Sequence, residues 1–371
     1  MSALSPSVYN HRNERVKIIL YPLFFMFTIC FAFVSCRERH CLFENGETIT
    51  FQNLQGAVFV QGLSVNGDDY FVFKDFKTKK NIYIYDNQGK RIKAISIDSI
   101  TKTYGYFKRC FVTENDIYLI GEYNNQIAVI DGNGKIKRHF DFSNLRQTKG
   151  LELWPPINVK DSILYVSTMS FNLNTGRDLA DCVMISCDMK SNTPSPHIFI
   201  DSFYSRFLNQ ECFTIEFKQY EITDSFFMVT SFYSDSIYIY DFKGNMTLTI
   251  PVESKYFQTK APTVSEELLE INEDTINGNL RHNSHIDHVI YDKYRKVYYC
   301  LISGPQNEKG FIPFSIIVYD SGFKKITEQL FNDKNHSAYG LCFYVSKKGL
   351  YLSKNANNNN ELTFCLYKLC R

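Results

Sequence analysis

One sequence motif recurs along this chain and constrains its fold more than any other feature. It consists of a strand of alternating aliphatic and aromatic residues, an Asp, and a short turn that a Gly usually closes. Five copies occupy residues 82–90, 127–135, 183–191, 237–245 and 316–324, and a degenerate sixth occupies residues 364–368. The Asp side chain opens a turn, and Gly supplies the positive φ that ends it. Each copy therefore predicts a β-hairpin.

A second strand precedes each copy, so the chain is a series of small antiparallel meanders. These strands are predicted at residues 70–73, 117–120, 163–166, 226–230, 297–302 and 349–352. A meander that cannot bury both faces alone must stack on its neighbours. The predicted fold is therefore all-β: a six-bladed β-propeller of four-stranded antiparallel blades over residues 48–371. Residues 48–51 would supply the missing strand of the last blade, and a two-sheet sandwich is the structural alternative.

The N-terminal segment has the features of a secretion signal. A basic stretch with Arg12, Arg15 and Lys17 precedes a continuous apolar run over residues 18–34. Residues 33–36, Phe-Val-Ser-Cys, resemble the lipobox of bacterial lipoproteins, in which a small residue precedes the Cys that receives the lipid. This predicts a signal peptide over residues 1–35, lipidation of Cys36, and a linker over residues 36–47. An uncleaved membrane anchor and simple secretion are the alternatives.

The resemblance to bacterial lipoproteins also bears on location. Arg37 after the Cys does not match an inner-membrane retention signal, so an outer-membrane lipoprotein is expected. Residues 37–39, Arg-Glu-Arg, lack the acidic tract of a surface-export signal. The periplasmic face is therefore favoured over the cell surface.

Charge and cysteine content exclude several classes of function. Without residues 1–35 the chain has 38 basic and 38 acidic residues and no basic run, which argues against a nucleic-acid partner. Nine Cys follow Cys36, mostly in apolar strand-like runs, and are interpreted as buried thiols, with a few disulfides as the alternative in an oxidising compartment. No Cys-x-x-Cys, Gly-x-Ser-x-Gly, P-loop or His-Glu-x-x-His pattern occurs, so no catalytic residue and no cofactor are predicted.

The whole mature chain resembles a known group of proteins. The lipobox, the recurrent Asp motif and the stretch over residues 288–300 together resemble the uncharacterised six-bladed β-propeller lipoproteins, which are distantly similar to TolB-like and NHL-repeat propellers. The resemblance implies a fold and an envelope location. It carries no catalytic residue to this chain.

Candidate ligand-binding residues are expected where one blade crosses to the next, at the mouth of the channel. The crossing over residues 143–157 contains the only Trp, Trp154, which would either stack on a sugar or peptide or plug the gap between blades. Crossing 198–211 adds Arg206, and crossing 332–339 adds His336. Irregular segments on a rigid scaffold are common sites of function.

A long insertion over residues 252–285 carries a predicted short acidic helix at residues 265–271 and ends in a cluster of histidines. His282 and His285 are candidate ligand contacts, and His285, Asp287 and His288 are weak metal candidates, although no metal site is predicted. In an extended strand His285 and Asp287 would face one way and His288 the other. Hydrogen bonding between loop and strand is the alternative role of these residues.

Three hypotheses for function follow. The leading one is a membrane-anchored scaffold, not an enzyme, that binds an envelope protein or a glycan. The second is a periplasmic enzyme acting on carbohydrate or peptide, with His285, His288 or His336 as acid, base or ligand contact. The third is a metal-dependent propeller.

Overall fold

The computed structural model describes residues 43–54, 56–121, 125–144, 151–170, 182–199, 218–231, 234–259, 282–333, 335–338, 341–354 and 360–370. These residues form six four-stranded antiparallel sheets, which are the blades of a propeller. The predicted six-bladed β-propeller is confirmed. The described residues include no helix that is long and apolar enough to span a membrane.

Each of the first three blades is built from four consecutive strands, which follow one another from the inner to the outer edge of the sheet. Blade 1 contains β2 (Ala57–Val65), β3 (Asp68–Asp75), β4 (Asn81–Tyr85) and β5 (Arg91–Ser96). A short helix, α1 (Asp98–Tyr104), leads to blade 2, which contains β6 (Phe107–Val112), β7 (Ile117–Gly121), β8 (Gln126–Ile130) and β9 (Ile136–Asp141). Blade 3 contains β10 (Leu151–Lys160), β11 (Ile163–Ser170), β12 (Cys182–Asp188) and β13 (Thr193–Phe199).

The last three blades include the closure of the ring. Blade 4 contains β14 (Lys218–Ile222), β15 (Phe227–Ser231), β16 (Ser236–Tyr240) and β17 (Met246–Pro251). Blade 5 contains β18 (His285–Asp292), β19 (Val297–Ser303), β20 (Phe314–Tyr319) and β21 (Lys325–Phe331). Blade 6 contains β22 (Phe343–Val345), β23 (Leu350–Ser353), β24 (Leu362–Leu369) and, as its outer strand, β1 (Phe43–Phe51).

The inner strands surround a common axis. Each of β2, β6, β10, β14, β18 and β22 contacts the next inner strand, and β22 contacts β2. Strand β1 completes the ring by pairing antiparallel with β24, from Phe43 opposite Leu369 to Phe51 opposite Leu362. The predicted closing strand is confirmed, and it starts at Phe43 because a bulge between Asn45 and Thr48 lets the strand continue through Asn45-Gly46.

The recurrent Asp motif forms the turn between the third and fourth strands of a blade. One oxygen of Asp86 accepts the backbone N–H groups of Gln88 and Lys90, both at 2.9 Å, and the same arrangement recurs at Asp131, Asp241 and Asp320. Gly89 has φ +78°, and a Cβ there would lie 2.4 Å from the carbonyl oxygen of Thr50 in β1. Glycine is therefore required both by the backbone conformation and by the contact with the preceding blade.

An aromatic cluster packs blade 6 against blade 1 where the ring closes. Phe51, Phe71 and Phe364 are fully buried, with ring centroids 4.8 to 6.1 Å apart. Burial of each ring stabilises the fold by roughly 2–3 kcal/mol. The buried carboxylate of Asp69 in β3 accepts hydrogen bonds from the hydroxyls of Tyr344 and Tyr351, both in blade 6. The closure thus has both an apolar and a polar component.

The described strand cysteines fill apolar space. Cys110, Cys187, Cys300 and Cys365 are buried and form no disulfide. Burial raises the pKa of Cys110 to about 12 and that of Cys187 to about 11, so both remain protonated and unreactive at neutral pH. The interpretation of these residues as buried thiols is confirmed.

Candidate functional site

All six inner strands begin at the same end of the ring, because each follows an outer strand that crosses over at that end. We call this end the channel entrance. Four inner strands bulge near it, at the register shifts Phe59/Gln61 in β2, Phe107/Arg109 in β6, Trp154/Ile157 in β10 and Ile286/His288 in β18. A bulge redirects the side chains beside it, and bulges are frequent next to functional sites.

Trp154 lies on an inner strand, although the sequence placed it in a crossing loop. It belongs to β10, opposite Ser167, and the two prolines that follow form the bulge of that strand. The guanidinium carbon of Arg109, on neighbouring β6, lies 3.3 Å from the Trp154 ring centroid. Both residues are half-buried. The pair is a cation–π contact across blades 2 and 3, with part of both side chains exposed near the channel entrance.

Arg109 is the member of this pair that sequence reasoning missed. It lies 45 residues before Trp154, in a strand with no motif around it. Only the ring arrangement brings β6 beside β10. A basic residue on a neighbouring inner strand is the signal that could have identified it, once the blade boundaries were assigned.

Other side chains also link adjacent inner strands. The amide of Gln61 in β2 donates to the carbonyl of Val112 in β6 at 2.6 Å and accepts its N–H at 2.9 Å. The carboxyl group of Glu221 in β14 is hydrogen-bonded by the backbone of Tyr291 in β18. These contacts join β2 to β6 and β14 to β18, and so restrain the inner strands that surround the channel.

Asp287 is the bulged residue of β18 and forms a small polar cluster. The His285 Nε2 lies 3.1 Å from Asp287 Oδ1, and the Ser303 hydroxyl donates to Asp287 Oδ2. The His285 Nδ1 lies 3.0 Å from the carbonyl oxygen of Asn283. Both partners of the ring only accept hydrogen bonds when Asp287 is ionised, so both ring nitrogens carry a hydrogen. The predicted common orientation of His285 and Asp287 is observed.

The pKa values of this pair agree with an ion pair. Burial lowers the pKa of His285, but the charge of Asp287 and the hydrogen bonds from Asp287 and Asn283 outweigh it, and the pKa is raised. Burial raises the pKa of Asp287, but His285, His288 and the Ser303 hydroxyl outweigh it, and the pKa is lowered. An imidazolium beside a carboxylate is the result at neutral pH.

His288 has a different environment from His285. Burial lowers its pKa to about 4, against the opposing effect of the Asp287 charge, so its ring is neutral. The ring packs edge-on against Phe343 of β22, with centroids 4.4 Å apart. Among the residues that the structure describes, no three His, Cys, Asp or Glu side chains converge as a metal site would require.

His336 is held by hydrogen bonds inside the core between blades 5 and 6. It is 5% exposed, its Nδ1 lies 3.1 Å from Asp333, and its Nε2 lies 2.8 Å from the Tyr367 hydroxyl. Both nitrogens are occupied, so a ligand would have to displace an existing hydrogen bond. The position favours a structural role that ties the crossing after β21 to β24.

The remaining candidates are separated from this cluster or lie outside the described residues. His282 is exposed and precedes β18. Cys36, Arg206 and the predicted helix at residues 265–271 lie outside the described residues. The described candidates at the entrance are thus Trp154 with Arg109, and His285 with Asp287.

The ring of six blades and the linked inner strands define the protein as a six-bladed β-propeller with polar and aromatic groups at its channel entrance. The model of a family described as a domain of unknown function, DUF4221, matches residues 51–330. The chain therefore belongs to the DUF4221 family. No functionally curated protein matches it.

Solved structures with the same fold include relatives from Bacteroides. A DUF4221 member from Bacteroides vulgatus has 18% identity and a TM-score of 0.68, covering 89% of this chain and 99% of its own. A Bacteroides fragilis protein described as a putative exported protein has 9% identity and a TM-score of 0.51, covering 90% of this chain and 97% of its own. At these identities the comparison shows the fold alone.

Proposed function

We propose that this protein is an envelope lipoprotein, anchored through a lipid on Cys36, whose propeller binds a ligand at the channel entrance. The observation that carries the binding role is the half-buried Arg109–Trp154 stack on two inner strands. Rigid inner strands hold the stack in place before any ligand arrives, which lowers the entropic cost of binding.

The chemistry of the stack favours a ligand with a flat or ring-shaped apolar face and a polar edge. The indole supplies an apolar surface, the guanidinium supplies a cationic group that donates hydrogen bonds, and the two side chains are held by their mutual contact. A sugar ring of an envelope glycan, or an aromatic or acidic peptide segment of an envelope protein, meets this description. The ionised Asp287 is a further acceptor at the same end of the channel for ligand hydroxyl or ammonium groups.

The anchor rests on the N-terminal sequence. The basic stretch, the apolar run and the lipobox-like residues 33–36 support export and lipidation. The Bacteroides fragilis structure of the same fold is described as a putative exported protein, which supports an envelope location for this chain.

The anchor is tested by expressing the intact chain in a bacterium fed an alkyne-bearing fatty acid. The label should appear on the protein and disappear in Cys36→Ala, and the wild-type protein should fractionate with membranes. Cys30→Ala, in the apolar run, is the matched control and should keep the label. A wild-type chain without label would contradict the anchor.

The binding role is tested by crosslinking the intact lipoprotein in its own cells and by screening it on glycan and peptide arrays. Trp154→Ala should abolish the captured ligand. Tyr83→Ala is the matched control, because Tyr83 also faces an arginine, Arg91 at 5.3 Å, but on strands away from the channel. A ligand that binds Trp154→Ala as tightly as the wild type would contradict a site at the entrance.

A further inference from the structure

The turns between the first and second strands of the blades lie at the opposite end of the channel from the entrance. We call them the exit turns. They comprise residues 66–67, 113–116, 161–162, 223–226, 293–296 and 346–349. The inner strand β18 (His285–Asp292) separates the entrance cluster from its own exit turn by roughly 15–20 Å, at 3.3 Å per residue.

Charge is distributed unevenly among the exit turns. Those of blades 2, 3 and 4 carry acidic residues, Glu114, Asp116, Asp161 and Asp224, and no lysine. Those of blades 5 and 6 carry four exposed lysines, Lys293, Lys296, Lys347 and Lys348. Within the described part of the chain, no ion pair involves any of these four.

Arg295 fastens the two lysine-bearing turns together. Its guanidinium donates to Asp292 at 2.9 Å, to the Ser346 carbonyl at 3.0 Å and to the Lys347 carbonyl at 2.9 Å. The buried Asp292 neutralises Arg295, so the net positive charge of the surface comes from the lysines. A fixed connection between turns keeps the four ammonium groups on one continuous surface, which we call the basic exit surface.

The chain enters the propeller next to this surface. Leu350, directly after the blade 6 exit turn, pairs with Tyr367, and the neighbouring Lys368 pairs with Glu44. Two strand spacings, about 10 Å, therefore separate the turn from the first residues of β1. Lys368 and Glu44 are both exposed and opposite in charge, so this pair adds no net charge beside the four turn lysines.

The proposed lipid site lies close along the chain. Six residues lie between Cys36 and Phe43, and the seven Cα-to-Cα steps limit their distance to about 25 Å even in a fully extended chain. A lipid on Cys36 would therefore hold the basic exit surface within reach of the headgroups. Clustered lysines beside a lipid anchor are the usual means of strengthening a single attachment to anionic lipid.

We propose that the basic exit surface, Lys293, Lys296, Lys347 and Lys348, docks on anionic lipid headgroups and turns the channel entrance away from the membrane. This rests on the proposed lipid anchor. Tyr294, half-buried between two of the lysines, suits the headgroup region because its ring is apolar and its hydroxyl is polar. The ligand site would then face outward from the bilayer surface.

Lysine footprinting tests this docking. The lipidated full-length protein is reconstituted into phosphatidylcholine vesicles with or without about one third phosphatidylglycerol, treated with an amine-reactive acetylating reagent, and analysed by mass spectrometry. The four lysines should react more slowly on the anionic vesicles. Lys77 and Lys309, exposed in turns at the entrance end, should react equally on both and serve as internal controls.

Charge reversal provides matched variants. Each lysine near an anionic surface strengthens docking about fivefold, so Lys347→Glu with Lys348→Glu should reduce the ratio of docked to undocked protein at least about 25-fold. Protection of Lys293 and Lys296 should then be lost. The control pair Lys77→Glu with Lys309→Glu should leave that protection unchanged.

The outcomes separate the docking from the anchor. The mass of the Cys36 peptide from the same sample reports lipidation. A peptide without lipid overturns both the anchor and the docking that rests on it. Lipidated protein whose four lysines react equally on both kinds of vesicle overturns the docking alone, as does protection of Lys77 and Lys309 instead.

Discussion

Glu221 offers a direct test of the electrostatics between blades 4 and 5. It lies on inner strand β14, and its carboxyl group is hydrogen-bonded by the backbone of Tyr291. Burial raises its pKa to about 8 from an ordinary 4.5, and this hydrogen bond opposes the shift only in part. We predict that Glu221 is protonated in the folded protein at pH 7 and that Glu221→Gln, which cannot ionise, removes a pH dependence of stability.

The magnitude follows from linkage. Because the folded pKa is raised, the contribution of Glu221 to stability is fully present below pH 4.5 and is lost as the pH rises to about 8. Each pKa unit corresponds to about 1.4 kcal/mol, which gives an upper limit of about 5 kcal/mol above pH 8. Glu221 as a residue is only half-buried, so water screens part of this, and we expect about 3 kcal/mol.

The assay is urea unfolding of wild type and Glu221→Gln between pH 5 and pH 9. The variant should match the wild type near pH 5 and exceed it by about 3 kcal/mol near pH 9. Glu328→Gln is the control, because Glu328 is a buried glutamate with a lowered pKa. Burial opposes that lowering, but the backbone N–H of Lys255, the Lys325 ammonium and the hydroxyls of Ser254 and Ser315 outweigh it. That control should be less stable than the wild type by a constant amount across this range.

A difference between wild type and Glu221→Gln that does not change with pH would refute a buried, protonated Glu221. Subtracting the two curves removes the titrations that both proteins share, so the remaining slope belongs to this one group. The sign is as informative as the size: a variant that becomes relatively less stable toward pH 9 would mean that Glu221 has an ionic partner in the fold.

Three further predictions concern the turn, the core and the entrance. Gly89→Ala should lower the free energy of unfolding, measured by heat or urea, by about 3 kcal/mol, because a positive φ is combined with a clash against backbone. The control Gly67→Ala should lower it by only about 1 kcal/mol, because Gly67 has φ +92° but a Cβ there would have nothing within 4 Å. Phe51→Ala, which empties a fully buried site at the ring closure, should cost about 4 kcal/mol, and a change below 1 kcal/mol would contradict the closure. Asp287→Asn should lower the pKa of His285 below its ordinary value in an NMR titration, since only burial and the Asn283 carbonyl then remain; an unchanged pKa would contradict the ion pair.

The hairpins were predictable because their determinants are local. Asp86 and Gly89 lie within one turn, and the same spacing recurs after Asp131 and Asp241, whereas the copy at Asp188 has no glycine. Where the glycine is shifted, as in the copy that contains Asp320, Phe323 adopts φ +62° at the equivalent position and stacks on Tyr298 at 4.4 Å. The turn therefore persists without its usual glycine, because packing of the aromatic ring offsets the backbone strain.

The candidate site was less predictable because it depends on which strands become neighbours. The sequence placed Trp154 in a crossing loop, but Pro155 and Pro156 lie in an inner strand that has one edge with no partner, where proline removes no ladder hydrogen bond. Trp154 therefore lies in a strand. Its contact with Arg109, like the hydrogen bond between His336 and Tyr367, joins residues far apart in sequence and could not be read from either segment alone.

The closing strand also determines the order in which the molecule can be completed. Synthesis produces β1 before the other blades, but its partner β24 is made only after them. The Thr50 and Thr363 hydroxyls, which meet at 3.0 Å, are 313 positions apart. Until then, β1 has an unpaired edge and Phe51 has no complete cavity to enter. A chain that stops short of β24 therefore leaves the edge of β1 unpaired and its apolar side chains exposed. Premature termination is expected to cause aggregation or proteolysis and not to give a stable five-bladed propeller.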